Sequence, residues 1–245
     1  MRVDARAVEA ERAKLLELVP EGFEEVDLGQ ELALVAYVQP PLEEALRAVF
    51  ADVVASDVQP DWADRWRSFH RAVTIGPLWI GPPWQTPDEG LVPVVIDPGQ
   101  AFGTGAHPTT RLCVQLLLDL TPAPMLDLGC GSGVLAIAAA KLGFRPVVAF
   151  DSDEAALAAA RANASANSVE VDLQLRDVLV ERLPATEVAV ANLDLASVRR
   201  LAGRLDATAI VTSGYLASER VQLQGWTRQG GGELEGWAAD LFTRP

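Results

Sequence analysis

The sequence predicts an α/β protein. It should hold a mostly parallel sheet covered by helices on both faces, with a small α+β domain ahead of it. Three observations carry this expectation. From residue 124 onward, short apolar runs alternate with segments of helical period. A glycine-rich turn, Gly129-Cys130-Gly131-Ser132-Gly133, separates the first such run from the helix after it. The first 59 residues show a different order, with a helix and a hairpin before any such alternation.

Residues 6–18 (RAVEAERAKLLEL) are rich in helix formers and read as a helix, stopped by Pro20 and Gly22. Residues 23–28 and 31–38 read as two strands turning at Gly29-Gln30. Residues 41–50 form a helix with Pro41 in its first turn, and 52–58 would be one more strand. The order is αββαβ, or βαββαβ if the first residues form an edge strand. Residues 60–93 then hold four of the six tryptophans (Trp62, Trp66, Trp79, Trp84) and six prolines. That composition reads as a connector with its own aromatic packing. Residues 94–245 form the sheet domain. Its strands are expected at 125–129, 147–151, 171–177, 188–193 and 208–214, its helices at 134–142, 154–167, 195–205 and 217–229. The last fifteen residues read as one or two closing strands. Strands alternating with helices imply right-handed crossovers and a sheet buried on both faces. Such sheets bind ligands beyond the carboxyl ends of their strands, where the strand order reverses.

Composition excludes several classes. Acidic residues number 34 and basic residues 20, a net charge of −14, which disfavours direct binding to nucleic acid through phosphate contacts. The excess is uneven: residues 1–60 carry 13 acids and 5 bases, net −8. An acidic front segment suits a basic partner. No apolar run approaches the ~18–20 residues that span a bilayer, and the charged opening MRVDARAVEAERAK gives no reason to expect a signal peptide. Cys113 and Cys130 make no disulfide framework, and with two histidines there is no zinc spacing. A reducing, cytoplasmic setting fits this usage.

The glycines at 129, 131 and 133 allow a sharp turn against a ligand. A dinucleotide fingerprint needs its third glycine at 134, which is valine, and no Lys-Ser/Thr follows to make a P-loop. Asp127 sits at the strand end just before the turn. Asp151, with Ser152 beside it, ends the next strand 22 residues after Gly129, where a carboxylate can accept both hydroxyls of a ribose. Asp177 or Val178, after the third strand, would lie beside an adenine edge. Asn192 ends the fourth strand and offers one acceptor and two donors.

The run DLGCGSGVLAIAA followed by AFDSD resembles the class I S-adenosylmethionine-dependent methyltransferases. DPGQAFGTGAHPTTRLC (97–113), LWIGPPW (78–84), VANL (190–193) and SGYL (213–216) narrow the likeness to the PrmA-type family, which methylates the large-subunit ribosomal protein number eleven. The resemblance runs from about Asp61 to Leu216. It implies a Rossmann-like class I methyltransferase sheet, with residues 1–59 as a ferredoxin-like recognition domain for that basic ribosomal protein. It implies S-adenosyl-L-methionine as cofactor, covered by a loop containing Phe102, Gly103, Thr104 and Gly105. Thr110, Gly129, Asp151 and Asn192 match the family positions that hold it. Family substrates are lysine side chains and an N-terminal amine. Pro108 suits the first turn of the next helix, whose N-terminus would favour the cofactor's carboxylate. His107 reads first as a structural residue at that helix start.

Asn192 is the candidate catalytic residue, either holding the cofactor's amino-acid portion or orienting an incoming amine. The sequence Asn-Leu-Asp-Leu lacks the Pro-Pro-Tyr of methyltransferases that act on base nitrogens or glutamine. No residue stands out as a general base or metal ligand. Two other readings stay open at this level: a methyltransferase for another protein lysine or a small molecule, and a non-catalytic cofactor-binding protein.

Overall fold

A computed structural model describes residues 2–4, 14–15, 18–19, 24–27, 31–36, 38, 40–50, 52–55, 71–97, 105–220 and 222–244. The chain divides into two compact units, Met1–Ala63 and Asp64–Pro245. In the first, strands β1 (Arg2–Asp4), β2 (Glu24–Asp27) and β3 (Glu31–Val35) form an antiparallel sheet in the order β1-β3-β2. The first residues therefore supply an edge strand. Helix α1 (Pro40–Val49) follows, with a Glu43–Arg47 pair one turn apart at 2.9 Å. Leu15, Val19, Leu34, Leu46 and Phe50 form this unit's core. Residues 14, 15 and 18, inside the expected first helix, are helical. The strand expected at 52–58 is not formed at 52–55, and 56–58 lie outside the described residues. Residues 52–55 lie close after the helix end at Val49 and leave Val54 exposed, so they offer no fully buried face to a partner strand.

In the second unit β4 (Val73–Ile75), β5 (Leu78–Gly81) and β6 (Val92–Val95) make a small sheet in the order β4-β5-β6. Leu78, Ile80, Val94 and Ile96 join the core of the large sheet, so the later part of the Trp/Pro-rich stretch packs as part of this unit. Trp79 is buried; Trp62 and Trp66 lie outside the described residues.

The large sheet begins after helix α2 (Pro108–Leu118). It comprises β7 (Met125–Leu128), β8 (Val147–Asp151), β9 (Asp172–Leu175), β10 (Thr186–Asn192), β11 (Ala207–Leu216), β12 (Thr227–Leu234) and β13 (Trp237–Thr243). Their spatial order is β12-β13-β11-β10-β7-β8-β9. Strands β7 to β11 are parallel, and β13 returns antiparallel to β11 with β12 beyond it. Helices α3 (Val134–Lys141), α4 (Glu154–Ala166) and α5 (Leu195–Ala202) are the crossovers.

Period-two alternation divides the apolar side chains between the faces. On β10, Val188 and Val190 join the core under α2, α3 and α4, while Ala189 and Ala191 join the one under α5. The helix expected at 217–229 is overturned. Among the described residues of this segment only Ala217–Glu219 is helical, as a single 3-10 turn, and β12 starts at Thr227. Gly225 takes φ +78°, which breaks the helical period. Leu223 and Trp226 reach the core through a turn, with the Trp226 indole donating to the Ala202 carbonyl at 3.0 Å. Pairing with β13 outweighs the local helical pattern.

Candidate functional site

The carboxyl ends of four adjacent parallel strands gather most of the singled-out residues. Gly129 follows β7, Asp151 ends β8, Asp177 and Val178 follow β9, and Asn192 ends β10. From β7 the chain winds outward to β9 and then returns to β10 on β7's other side. The reversal of strand order thus falls between Gly129 and Asn192.

The turn itself needs glycine. Gly129, Gly131 and Gly133 have φ of +85°, +52° and +80°. Its start hangs on β8, because the backbone N–H groups of Gly129 and Cys130 both donate to the Phe150 carbonyl at 2.9 Å. Gly131 N–H donates to Asp151 Oδ2 at 2.9 Å, and Asp153 N–H to Asp151 Oδ1 at 3.0 Å. Two donors leave roughly two of the carboxylate's four lone-pair positions for a ligand. Ser152 is exposed beside it.

Asp127 is wholly buried. Its Oδ2 accepts the Ala136 N–H at 3.0 Å, and Oδ1 has no partner among the described residues. Burial pushes its pKa up to about 7; the Ala136 bond opposes this and the Asp151 charge adds to it. Thr110, also buried, has a hydroxyl without a partner among the described residues.

Helix α2 starts against the end of β10. Asn192 Nδ2 donates to Thr109 Oγ1 at 3.1 Å, and Thr109 Oγ1 lies 2.8 Å from His107 Nδ1. His107 caps the helix by accepting the Thr109 N–H, and Pro108 sits in the first turn. Because a backbone N–H can only donate, Nδ1 is the acceptor and the neutral ring carries its proton on Nε2. Burial holds the His107 pKa below its usual value, opposed by Glu235. Gly105 is buried, whereas Phe102, Gly103 and Thr104 lie outside the described residues. Asp177 turns its carboxylate back on the chain, Oδ1 accepting the Leu179 N–H at 2.8 Å, and Val178 is buried.

Some neighbours carry no local sequence signal. Trp237 meets the His107 ring edge-on at 5.1 Å, brought there by the Leu216–Trp237 register of β11 and β13. Fully buried Asp240 accepts from Arg228 Nε at 2.7 Å and from the Tyr215 hydroxyl at 2.9 Å, tying the closing hairpin to β11. Thr109 is visible in the sequence as a hydroxyl, but its place between Asn192 and His107 depends on the fold.

A sequence profile of the family described as ribosomal protein L11 methyltransferase (PrmA) matches residues 24–230. The ribosomal protein L11 methyltransferase of Symbiobacterium thermophilum is 38% identical over 203 residues, covering 76% of this chain and 67% of that protein. The Shewanella baltica protein of the same name is 44% identical over 175 residues, 69% of this chain and 59% of its own. A crystal structure of ribosomal protein L11 methylase from Lactobacillus delbrueckii subsp. bulgaricus matches with a TM-score of 0.61 and 25% identity, over 71% of this chain and 99% of that one. The matched region thus spans 59 to 67% of these two curated relatives.

Proposed function

The chain belongs to the ribosomal protein L11 methyltransferase (PrmA) family, and from that premise we propose that it methylates amines of ribosomal protein L11 with S-adenosyl-L-methionine. The observation that carries this reading is the gathering of Gly129, Asp151 and Asn192 at strand ends where the strand order reverses, with Thr110 next to the Thr109 that accepts from Asn192. Two buried atoms without a partner among the described residues, Asp127 Oδ1 and Thr110 Oγ1, suit a ligand with a cationic and polar amino-acid end. The bared backbone of the glycine turn suits close approach, and Asp151 retains acceptor capacity for sugar hydroxyls. These residues fit the cofactor.

When bound, the cofactor supplies a methyl group on a sulfonium, activated for direct displacement with a neutral leaving group. The chain's work is then alignment, since proximity and orientation carry most of such a barrier. Asp127 and Thr110 would hold the amino-acid end, with Gly105 and the segment Phe102-Gly103-Thr104 over it. Asp151, with Ser152 beside it, would hold the ribose, and Asp177 and Val178 would flank the adenine. Asn192, its Nδ2 engaged by Thr109, would turn its Oδ1 to an incoming amine and accept an N–H from it. A lysine amine has a pKa of ~10.4 in water and must be neutral to react. Desolvation in the cleft favours the neutral form.

The net −8 of residues 1–60 suits docking of a basic ribosomal protein, in the cytoplasm and without direct RNA contact. Among the described residues no helix is long and apolar enough to cross a membrane. The test is to incubate the full chain with methyl-labelled cofactor and purified L11. Label should appear on lysine side chains or the N-terminal amine; an L11 that stays unlabelled at stoichiometric enzyme ends the substrate assignment.

A further inference from the structure

Helix α4 presents one buried stripe of short side chains, Ala160, Asn163, Ala164 and, at its C-cap, Asn167. They recur at i, i+3, i+4 and i+7, a single helix face. The alanines let the helix come close, and a Cβ built on Gly133 would stand 3.0 Å from that of Ala160. The asparagines work on backbone. Among the described residues strand β6 pairs with β5 alone, and Asn167 stands in for a strand on its other side. Its Oδ1 accepts the Val95 N–H at 2.8 Å and its Nδ2 donates to the Val95 carbonyl at 2.6 Å. One turn earlier, Asn163 bridges two different segments. Its Oδ1 accepts the Asp97 N–H at 3.0 Å, and its Nδ2 donates to the Ser132 carbonyl at 2.9 Å. Asn163 is only 3% exposed and its bond to the Ser132 carbonyl is buried, where an amide group left unpaired is costly.

Ser132 is the residue between the last two glycines of the turn. Glycine flanks give that peptide wide backbone freedom. From the other side, Gly131 is held through its N–H by Asp151. The middle of the turn is thus fixed by two side chains, Asp151 on β8 and Asn163 on α4. Asn163 ties it also to the end of the small sheet at Asp97.

We propose that Asn163 is a positioning residue for the cofactor: its amide holds the Ser132 peptide, and so the glycine turn, in the shape that receives the ligand. The inference rests on reading this site as that of S-adenosyl-L-methionine. A turn already ordered before binding spares the ligand the cost of ordering it. Asn167 makes the same kind of bond in the same buried stripe and also donates to the Asn163 backbone carbonyl at 2.8 Å, but its side chain bonds to no residue of the turn, which makes it a control for loss of a buried amide on this face.

The experiment compares Asn163→Ala and Asn167→Ala in the full chain. Both should lower the melting temperature by similar amounts. Only Asn163→Ala should raise the calorimetric Kd for S-adenosyl-L-methionine, by about tenfold or more, with Asn167→Ala staying within about threefold of wild type. In the ligand-free protein, amide exchange at residues 131–133 should quicken in Asn163→Ala alone. If Asn163→Ala does not fold, Asn163→Asp, an isostere that keeps the acceptor for Asp97 N–H but loses the donor to the Ser132 carbonyl, takes its place. Equal Kd values in the two variants, or unchanged exchange at 131–133, overturn the proposal. A wild-type chain that does not bind S-adenosyl-L-methionine sinks the cofactor reading instead, and the hold of Asn163 on the turn then stands or falls on amide exchange alone.

Discussion

Asp127, buried and proposed to hold the cofactor's amino-acid end, is held at a cost to the fold near neutral pH. Its pKa is raised to about 7, chiefly by burial, so the folded state holds a proton that the unfolded chain gives up near pH 4. The stability this contributes is complete below the unfolded pKa and is lost as pH rises through about 7. Asp127→Asn removes the titration and leaves an acceptor for the Ala136 N–H. Its melting temperature relative to wild type should climb between pH 5 and 8, while affinity for the cofactor falls. A constant offset across that range would show that Asp127 does not titrate there. Asp151→Ala should weaken cofactor binding by about 1–3 kcal/mol, measured by calorimetry, through lost charge-assisted hydrogen bonds. It also frees Gly131 N–H, so Asp151→Asn, which keeps an acceptor, should lose less.

Among elements, the junction of β10 and β11 shows why SGYL has a glycine. Strand β11 changes register between Ser213 and Tyr215, and Gly214 adopts φ +97° against the turn after Asn192. A Cβ there would overlap the Leu193 backbone carbonyl. Gly214→Ala should cost upwards of about 2 kcal/mol in urea unfolding, since backbone meets backbone and neither side can yield. Asp194, exposed, caps α5 by accepting from Ala196 and Ser197 N–H at 2.9 and 3.1 Å. Asp194→Ala should cost about 1 kcal/mol in the same assay, with cofactor affinity unchanged. The hydrogen bonds from Ser197 hold its pKa below the usual carboxylate value, so this cap's contribution fades as pH falls through that lowered pKa. One of the elements that escaped sequence reading, 217–229, failed for a related reason. Its apolar spacing is helical, but the partner that decided its conformation, β13, lies further along the chain.

Across the whole molecule, charge is the broadest lever. If the acidic front segment draws in a basic ribosomal protein, raising ionic strength from ~0.05 to ~0.5 M should raise KM for L11 and leave kcat nearly unchanged. A KM indifferent to salt would remove electrostatic docking from the account. Much of the second unit was legible in the chain itself: β7, β8, α3 and α4 match their expected bounds within a residue or two, and the glycine turn falls where its spacing puts it. These depend on local periodicity and on backbone angles that glycine alone readily adopts. By itself, then, the sequence determined the alternation of strands and helices, the turn, and the strand-end carboxylate and amide. Only the tertiary structure decided that Asn192 is held by Thr109, that Trp237 meets His107, and that Asn163 grips Ser132. Each of those contacts joins residues separated by 31 to 130 positions, and no local pattern encodes a distance across the fold.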